Sequence, residues 1–215
     1  MKPIVFLWIL AVVAAAFLWS PPASGFIGES SRIVFFHVPC AWVATLAFLI
    51  SGYWSVRFLR SRDLEHDMKA AVAVRQGLLF AILATISGSI FARVMWGAYW
   101  NWDPRQISIT ILLFIYAAYL VLRSSVDDPM RRGHLAAVYA IFAFITMPFF
   151  VFIIPRLYFS LHPDTFINTR GKIEMGGRIL VTFLASLAGF TAFFALMYRL
   201  ECRLERLLSA KGEHS

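Results

Sequence analysis

Two sets of residues in this chain have types and spacings that could do chemistry together: a run of aromatic side chains set between two apolar stretches, and a histidine on either side of it. Met95 to Arg105 reads Met-Trp-Gly-Ala-Tyr-Trp-Asn-Trp-Asp-Pro-Arg and holds three of the seven Trp. Read as a helix, it places Trp96, Tyr99, Trp100 and Asp103 at i, i+3, i+4 and i+7, so that three rings and a carboxylate share one face while Trp102 points elsewhere. An aromatic belt at headgroup depth accounts for any two such rings in a membrane protein. Four large rings in seven residues, with Gly97 admitting close approach and Arg93 and Arg105 on the flanks, favour a flat apolar ligand with acidic edges.

Trp96-Gly97-Ala98-Tyr99-Trp100-Asn101-Trp102-Asp103 closely resembles the tryptophan-rich WWD signature (WGxxWxWD) of the haem-handling proteins of cytochrome c maturation. Pattern, spacing and apolar context agree over eight positions, and most of the surrounding chain can be matched to the CcmC-type member of that superfamily.

Of the five histidines, His66, His134 and His214 stand among charged residues and read as solvated surface groups. His37 lies in Phe35-Phe36-His37-Val38-Pro39 and His162 in Phe159-Ser160-Leu161-His162-Pro163. A lone histidine in either place would be read as a packing or headgroup-contacting residue. Two of them change that balance, because neutral imidazole is a good haem iron ligand and a six-coordinate iron takes one nitrogen on each face, from elements that need not be neighbours. Pro39 either begins a membrane helix or kinks one by removing a hydrogen bond to the Phe35 carbonyl, and either outcome steers the His37 ring towards the cleft. Gly88 and Met147-Pro148 point to similar local adjustments without chemistry of their own.

The elements that must position these groups are membrane spans. The chain has 215 residues, is 60% hydrophobic and has a mean hydropathy of +0.72, which fits no soluble globular class. A single integral membrane domain of all-α class is expected over residues 1–215. Its apolar runs are Ile4 to Trp19, Ile33 to Leu59, Ala70 to Phe91, Ile107 to Leu122, Leu135 to Ile154 and Ile179 to Leu200, each near the roughly 20 residues that cross a bilayer as a helix. The first run is too long for a signal-peptide core and is read as an uncleaved span, which makes the crossings even in number. The WWD stretch then forms a short interfacial helix between the third and fourth spans.

Six spans sort the basic residues onto two sides. Lys2, the Arg57 to Arg75 group, Arg123, Arg131, Arg132 and the tail from Arg199 fall on one side, and only Arg32, Arg93, Arg105, Arg156, Arg170, Lys172 and Arg178 on the other. The positive-inside bias puts both termini in the cytoplasm and the WWD stretch outside. The outer loop from Pro155 to Arg178 is long enough to bind something, with Tyr158, Phe159 and Phe166 as wall residues, although an amphipathic segment lying on the membrane explains them nearly as well. The cytoplasmic Arg57 to Lys69 segment reads as a solvated charge run beside lipid.

Several classes are unsupported. The net charge of +8 belongs to span flanks and comes with no motif for reading nucleic acid. Cys40 and Cys202 lie at opposite ends of the spans and belong to no CxxC or CxxCH, which argues against thiol redox work and covalent haem attachment. There is neither a Walker-type loop nor a GxGxxG. A small-molecule transporter with an aromatic mouth is weakened by the lack of ionisable residues in mid-span. A quinone-reactive cytochrome subunit would need histidine pairs stacked within the spans, which the sequence does not have.

What remains comes from the resemblance. CcmC-type proteins have one essential external His before the WWD segment and one after it, in His-Val-Pro and Leu-His contexts that His37 and His162 reproduce, so the iron-ligand role is carried to these two alone. The resemblance implies a transiently held haem b with its iron ligated by both histidines at the periplasmic face of the bacterial inner membrane. Trp96, Gly97, Tyr99, Trp100, Trp102 and Asp103, with Arg93 and Arg105, would form its platform. The implied acceptor is the membrane-anchored haem chaperone CcmE, with a CcmD-like small subunit and a CcmA/CcmB ATP-binding cassette complex as neighbours in the lipid bilayer. The chain itself supplies no conventional catalytic residue. Pro104 stands where CcmC-type proteins have Ala, and Asp-Pro here resembles the longer CcsA and CcmF branches. Six spans without an appended domain rank CcmC first and a CcsA-type cytochrome c synthetase component second.

Overall fold

The computed structural model describes residues 2–23, 27–162 and 175–212. Pro163, Phe166, Arg170, Lys172 and His214, named above, lie outside the described residues. The order along the chain is α1 (Lys2–Ala14) running into a π-helical turn (Ala15–Trp19), a 3-10 turn (Gly28–Ile33) leading into α2 (Val34–Ser61), then α3 (Leu64–Trp96) and α4 (Pro104–Ser124). α5 (Pro129–Pro148) passes through a π-helical segment (Phe149–Ile153) into the short α6 (Ile154–Leu157), and α7 (Gly177–Gly212) closes the bundle. Six of the helical stretches are long and apolar enough to cross a membrane, matching the six apolar runs in number and order.

Side-chain caps set the turns. Asp63 accepts a hydrogen bond from the Glu65 amide at the start of α3, just after Arg62 has ended α2 in a left-handed conformation. The dipeptides Asp103-Pro104 and Asp128-Pro129 begin α4 and α5 in the same way: the carboxylate caps, and proline occupies the first turn, where its missing N–H costs nothing. Pro104 therefore has a structural reason in this chain that owes nothing to family branch.

The expected interfacial helix between α3 and α4 is not there. Gly97 ends α3 at φ 80°, its N–H bonding back to the Arg93 carbonyl, and Asp103 already caps α4. Residues 97–103 form an irregular loop, and the i, i+3, i+4, i+7 face does not exist. Trp102 adopts φ 56°, a left-handed conformation that costs a bulky residue roughly 1–2 kcal/mol.

Small residues let the central helices approach closely. A Cβ added at Gly77 of α3 would lie 2.5 Å from the Phe48 ring of α2, and one at Gly133 of α5 would lie 2.7 Å from Phe58. Phe48 in turn stacks on Tyr116 of α4, with ring centroids 3.5 Å apart. By contrast α1 touches chiefly α7, where Trp8 Nε1 donates to the Ala185 carbonyl at 2.9 Å, and it leaves Leu7 and Leu10 exposed as lipid-facing residues are.

Pro39 lies inside α2 and does not begin it, so the Phe35 carbonyl loses its helical donor. The hydroxyl of the fully buried Ser186 in α7 donates to that carbonyl instead, tying α7 to α2 two residues before His37. Ser186→Ala should leave a buried carbonyl unpaired and cost about 1–3 kcal/mol, read as a lower denaturation midpoint in detergent. An unchanged midpoint would mean that the carbonyl finds another donor.

The Arg57 to Lys69 segment departs from its expected character. Helix runs through most of it, and Asp67 is buried at 5% exposure in a two-bonded pair with Arg123, at 2.5 and 2.8 Å. Arg75 bonds Glu201 and Glu205 of α7, and His66 stacks on Trp54 at 5.1 Å, only half-exposed.

Candidate functional site

At the end of the bundle where α3 meets α4, a cavity of about 190 Å³ is lined by His37, Trp96, Trp100, Arg105, Gln106 and His162 near the connecting loops. Deeper, its walls are Ala41, Ala44 and Phe48 of α2, Ala84 and Gly88 of α3, Leu112 of α4, and Met147 and Val151 of the α5 region. The sequence separates the two histidines by most of the chain, and the fold sets their rings 6.1 Å apart between centroids, inclined at 49°.

The His37 ring is placed by α3. Its Nδ1 lies 3.0 Å from Ser87 Oγ, and that hydroxyl donates its own proton to the Leu83 carbonyl at 2.8 Å. The hydroxyl must then accept from His37, which puts the proton on Nδ1 and leaves the Nε2 lone pair for a ligand. The absence of a side chain at Gly88 makes room for the ring, since a Cβ there would stand 2.9 Å from His37 Cε1. Gly88 thus has a role at the site that its sequence context did not reveal.

His162 follows the short α6 and packs against the end of α3, with its ring 6.0 Å from Trp96 and 6.3 Å from Phe91. Desolvation in the pocket, with the Arg105 guanidinium and then His37 nearby, pushes its imidazole down from 6.5 to about 4, against the opposing pull of the Asp103 carboxylate. Between those two values a detached His162 takes up a proton that the packed ring refuses. The packing of this segment should therefore be fully stable above pH 6.5 and weaken as pH falls towards 4. Histidine-selective NMR of the ligand-free protein should show one imidazole titrating near pH 4, and titration of His162 near 6.5 would contradict this packing.

The aromatic stretch divides. Trp96 and Trp100 line the cavity, whereas Tyr99 and Trp102 are exposed at 61% and 75%. Trp102 meets Trp100 edge-on at 6.0 Å, and Tyr99 lies under the Arg93 guanidinium. Arg93 bonds the Gly97 carbonyl and does not line the cavity, so of the two flanking arginines only Arg105 reaches it. Gly97 serves as the left-handed end of α3. Asp103 is buried at 4% exposure and does not line the cavity; its carboxylate accepts from the Arg105 amide, the Ser160 hydroxyl and the Leu161 amide.

Gln106 went unnoticed in the sequence. Its Oε1 accepts from the Asn101 amide at 2.8 Å and its Nε2 donates to the Tyr99 carbonyl at 3.2 Å, so one side chain holds the tryptophan loop on both sides. Ser160 and Ser87 were missed as well. All three are uncharged polar residues whose partners lie far away in sequence or across a loop, and no spacing rule exposes them.

Taken together, the bundle and this site define a multi-pass helical membrane protein with a two-histidine, tryptophan-walled cavity at one end. The family model of CcmC, heme exporter protein C, matches residues 1–214. The chain belongs to that family. It is 31% identical over 180 residues to heme exporter protein C of Bradyrhizobium diazoefficiens, covering 84% of this chain and 68% of that one. A putative cytochrome c biosynthesis ccmC-like mitochondrial protein of Marchantia polymorpha is 28% identical over 192 residues, which are 89% of this chain and 79% of that protein. Heme exporter protein C of Escherichia coli K12 is 28% identical over 150 residues, and the match spans 65% of this chain and 58% of the E. coli protein.

Proposed function

We propose that this chain holds haem b between His37 and His162 and presents it for transfer to an acceptor in cytochrome c maturation. The observation that carries the reading is the facing pair of imidazoles, 6.1 Å apart between centroids. Two imidazoles bound to opposite faces of one metal, each at about 2.0–2.1 Å, hold their centroids roughly 6 Å apart. The surroundings fit the rest of a haem. Apolar side chains from α2, α3 and α4 suit a macrocycle, Trp96 and Trp100 offer ring faces, and Arg105 stands at the edge as a partner for a propionate. The family's name and its relatives' names, heme exporter and cytochrome c biosynthesis, agree with this cargo.

In this reading the protein makes and breaks no covalent bond of the cargo. His37 and His162 hold the iron by reversible ligation, and the tryptophan loop, with Trp102 and Tyr99 turned outwards, faces the receiving partner. The acceptor is a CcmE-like haem chaperone, and a CcmD-like subunit and a CcmA/CcmB cassette complex are the neighbours. The excess of basic residues at the opposite end supports a cavity on the periplasmic face of the inner membrane. A cysteine at Asn101 should react with an impermeant external reagent while one at Asp128 should not, and the reverse pattern would overturn the orientation.

Transfer tests the reading itself. Stacking is shared among several rings, so Trp100→Ala should cost on the order of 1 kcal/mol of haem affinity, leave coordination intact and slow delivery to the acceptor. If Trp100→Ala emptied the protein of haem while His37→Ala did not, the roles would be reversed.

A further inference from the structure

The signature aspartate sits in the wrong place to be part of the platform and in the right place to organise it. Asp103 is buried and does not line the cavity. One carboxylate oxygen caps α4 by accepting from the Arg105 amide at 2.9 Å. The other accepts from the Leu161 amide at 2.7 Å, and the Ser160 hydroxyl lies between the two, 2.9 Å from this oxygen and 3.1 Å from the capping one. Ser160 Oγ in turn accepts from the His162 amide at 3.1 Å, which extends the chain of bonds to the residue that bears the imidazole. The two stretches joined in this way come from opposite ends of the α4 to α6 region, 57 residues apart between Asp103 and Ser160.

We propose that Asp103 is a positioning residue that latches the tryptophan loop to the His162 segment, so that one ligand and the aromatic wall are set, and released, as a unit. Three donors converge on one carboxylate, and only a charged acceptor with four lone-pair sites can serve them all. An amide in its place would still cap the helix through its oxygen, which Ser160 Oγ also reaches, but its NH2 cannot accept from the Leu161 amide. Asparagine therefore separates capping from the bond to Leu161. The same geometry explains why the loop ends in aspartate directly before α4: the cap fixes the carboxylate at the helix end, where the second oxygen is free to reach the neighbouring segment.

The role in holding a haem ligand rests on the haem reading above, whereas the latch itself does not, and the experiment has an arm for each. In the haem-free protein, Asp103→Asn should raise amide hydrogen exchange at Leu161 and His162 about tenfold or more while exchange at the start of α4 stays as in the wild type. Ser160→Ala, which keeps the Leu161 bond, should give a smaller rise at the same amides. In the haem-loaded protein, Asp103→Asn should produce a five-coordinate fraction that free imidazole returns to six-coordinate, as expected for a ligand that has swung away. Unchanged exchange at Leu161 in Asp103→Asn would overturn the latch. Increased exchange with unchanged coordination would overturn the link to ligand placement, provided His162→Gly does alter coordination. If His162→Gly leaves coordination unchanged too, the haem reading is what fails, and the exchange result still decides the latch.

Discussion

His162→Gly is expected to leave haem held by His37 alone, turning a six-coordinate low-spin spectrum into a five-coordinate one, and added imidazole is expected to restore it. The expectation follows from how differently the two rings are held. His37 is fixed on a helix by Ser87, with Nε2 presented, so it should keep its ligand when its partner is lost. Removing the His162 side chain empties a volume bounded by Phe91 and Trp96, and an imidazole molecule matches that vacancy. His37→Gly should behave in the same way, because the space beside Gly88 is already open to an imidazole ring. His66→Gly and His134→Gly, on helices α3 and α5 near the opposite end, should leave the spectrum as it was. If neither His37→Gly nor His162→Gly alters the iron, both are packing residues and the site has another purpose.

The largest effect on stability is expected at the far end of the bundle. Asp67→Ala should destabilise the protein by about 3–5 kcal/mol, because it leaves Arg123 charged and largely buried without its two-bonded partner. The pair itself is a weaker source of stability than its removal suggests, since burying two charges costs nearly what their attraction returns. The double variant Asp67→Leu with Arg123→Met should accordingly recover most of the loss. Denaturation in detergent checks both. A double variant as unstable as the single one would show that the pair contributes through contacts other than charge.

The membrane architecture was legible in the sequence because apolar length is a property of each segment taken alone. Six runs gave six spans, and the starts of α3, α4 and α5 come from aspartate caps that local spacing also carries. Other features depend on the three-dimensional meeting of distant residues. The tryptophan stretch has helical spacing, yet Gly97 ends one helix in a left-handed conformation, Asp103 caps the next, and the residues between them form a loop. Asp67 looked like one charge in a solvated run, and only the packing of α4 against α3 shows that it is buried with Arg123. His37 and His162 could be named from their contexts, whereas the groups that aim them could not. Ser87, Gly88 and Ser160 are small residues whose importance is purely one of position.

Asp103 shows how a motif can be recognised before its roles are known. The signature marks Trp96, Trp100 and Asp103 equally, and the structure sends the two rings to the cavity wall and the carboxylate to the protein interior. Pro104, which looked like a departure from the pattern, is the ordinary first residue of a capped helix and is repeated at Pro129.

The central claim is that two imidazoles share one haem iron, and the measurement closest to it is a low-temperature electron paramagnetic resonance spectrum of the purified, oxidised, haem-loaded protein, paired with its visible spectrum. A low-spin ferric signal of the bis-imidazole type, which His162→Gly converts to high spin, is the predicted result. A high-spin or thiolate-type signal in the wild-type protein, or a bis-imidazole signal that survives His162→Gly, would contradict it.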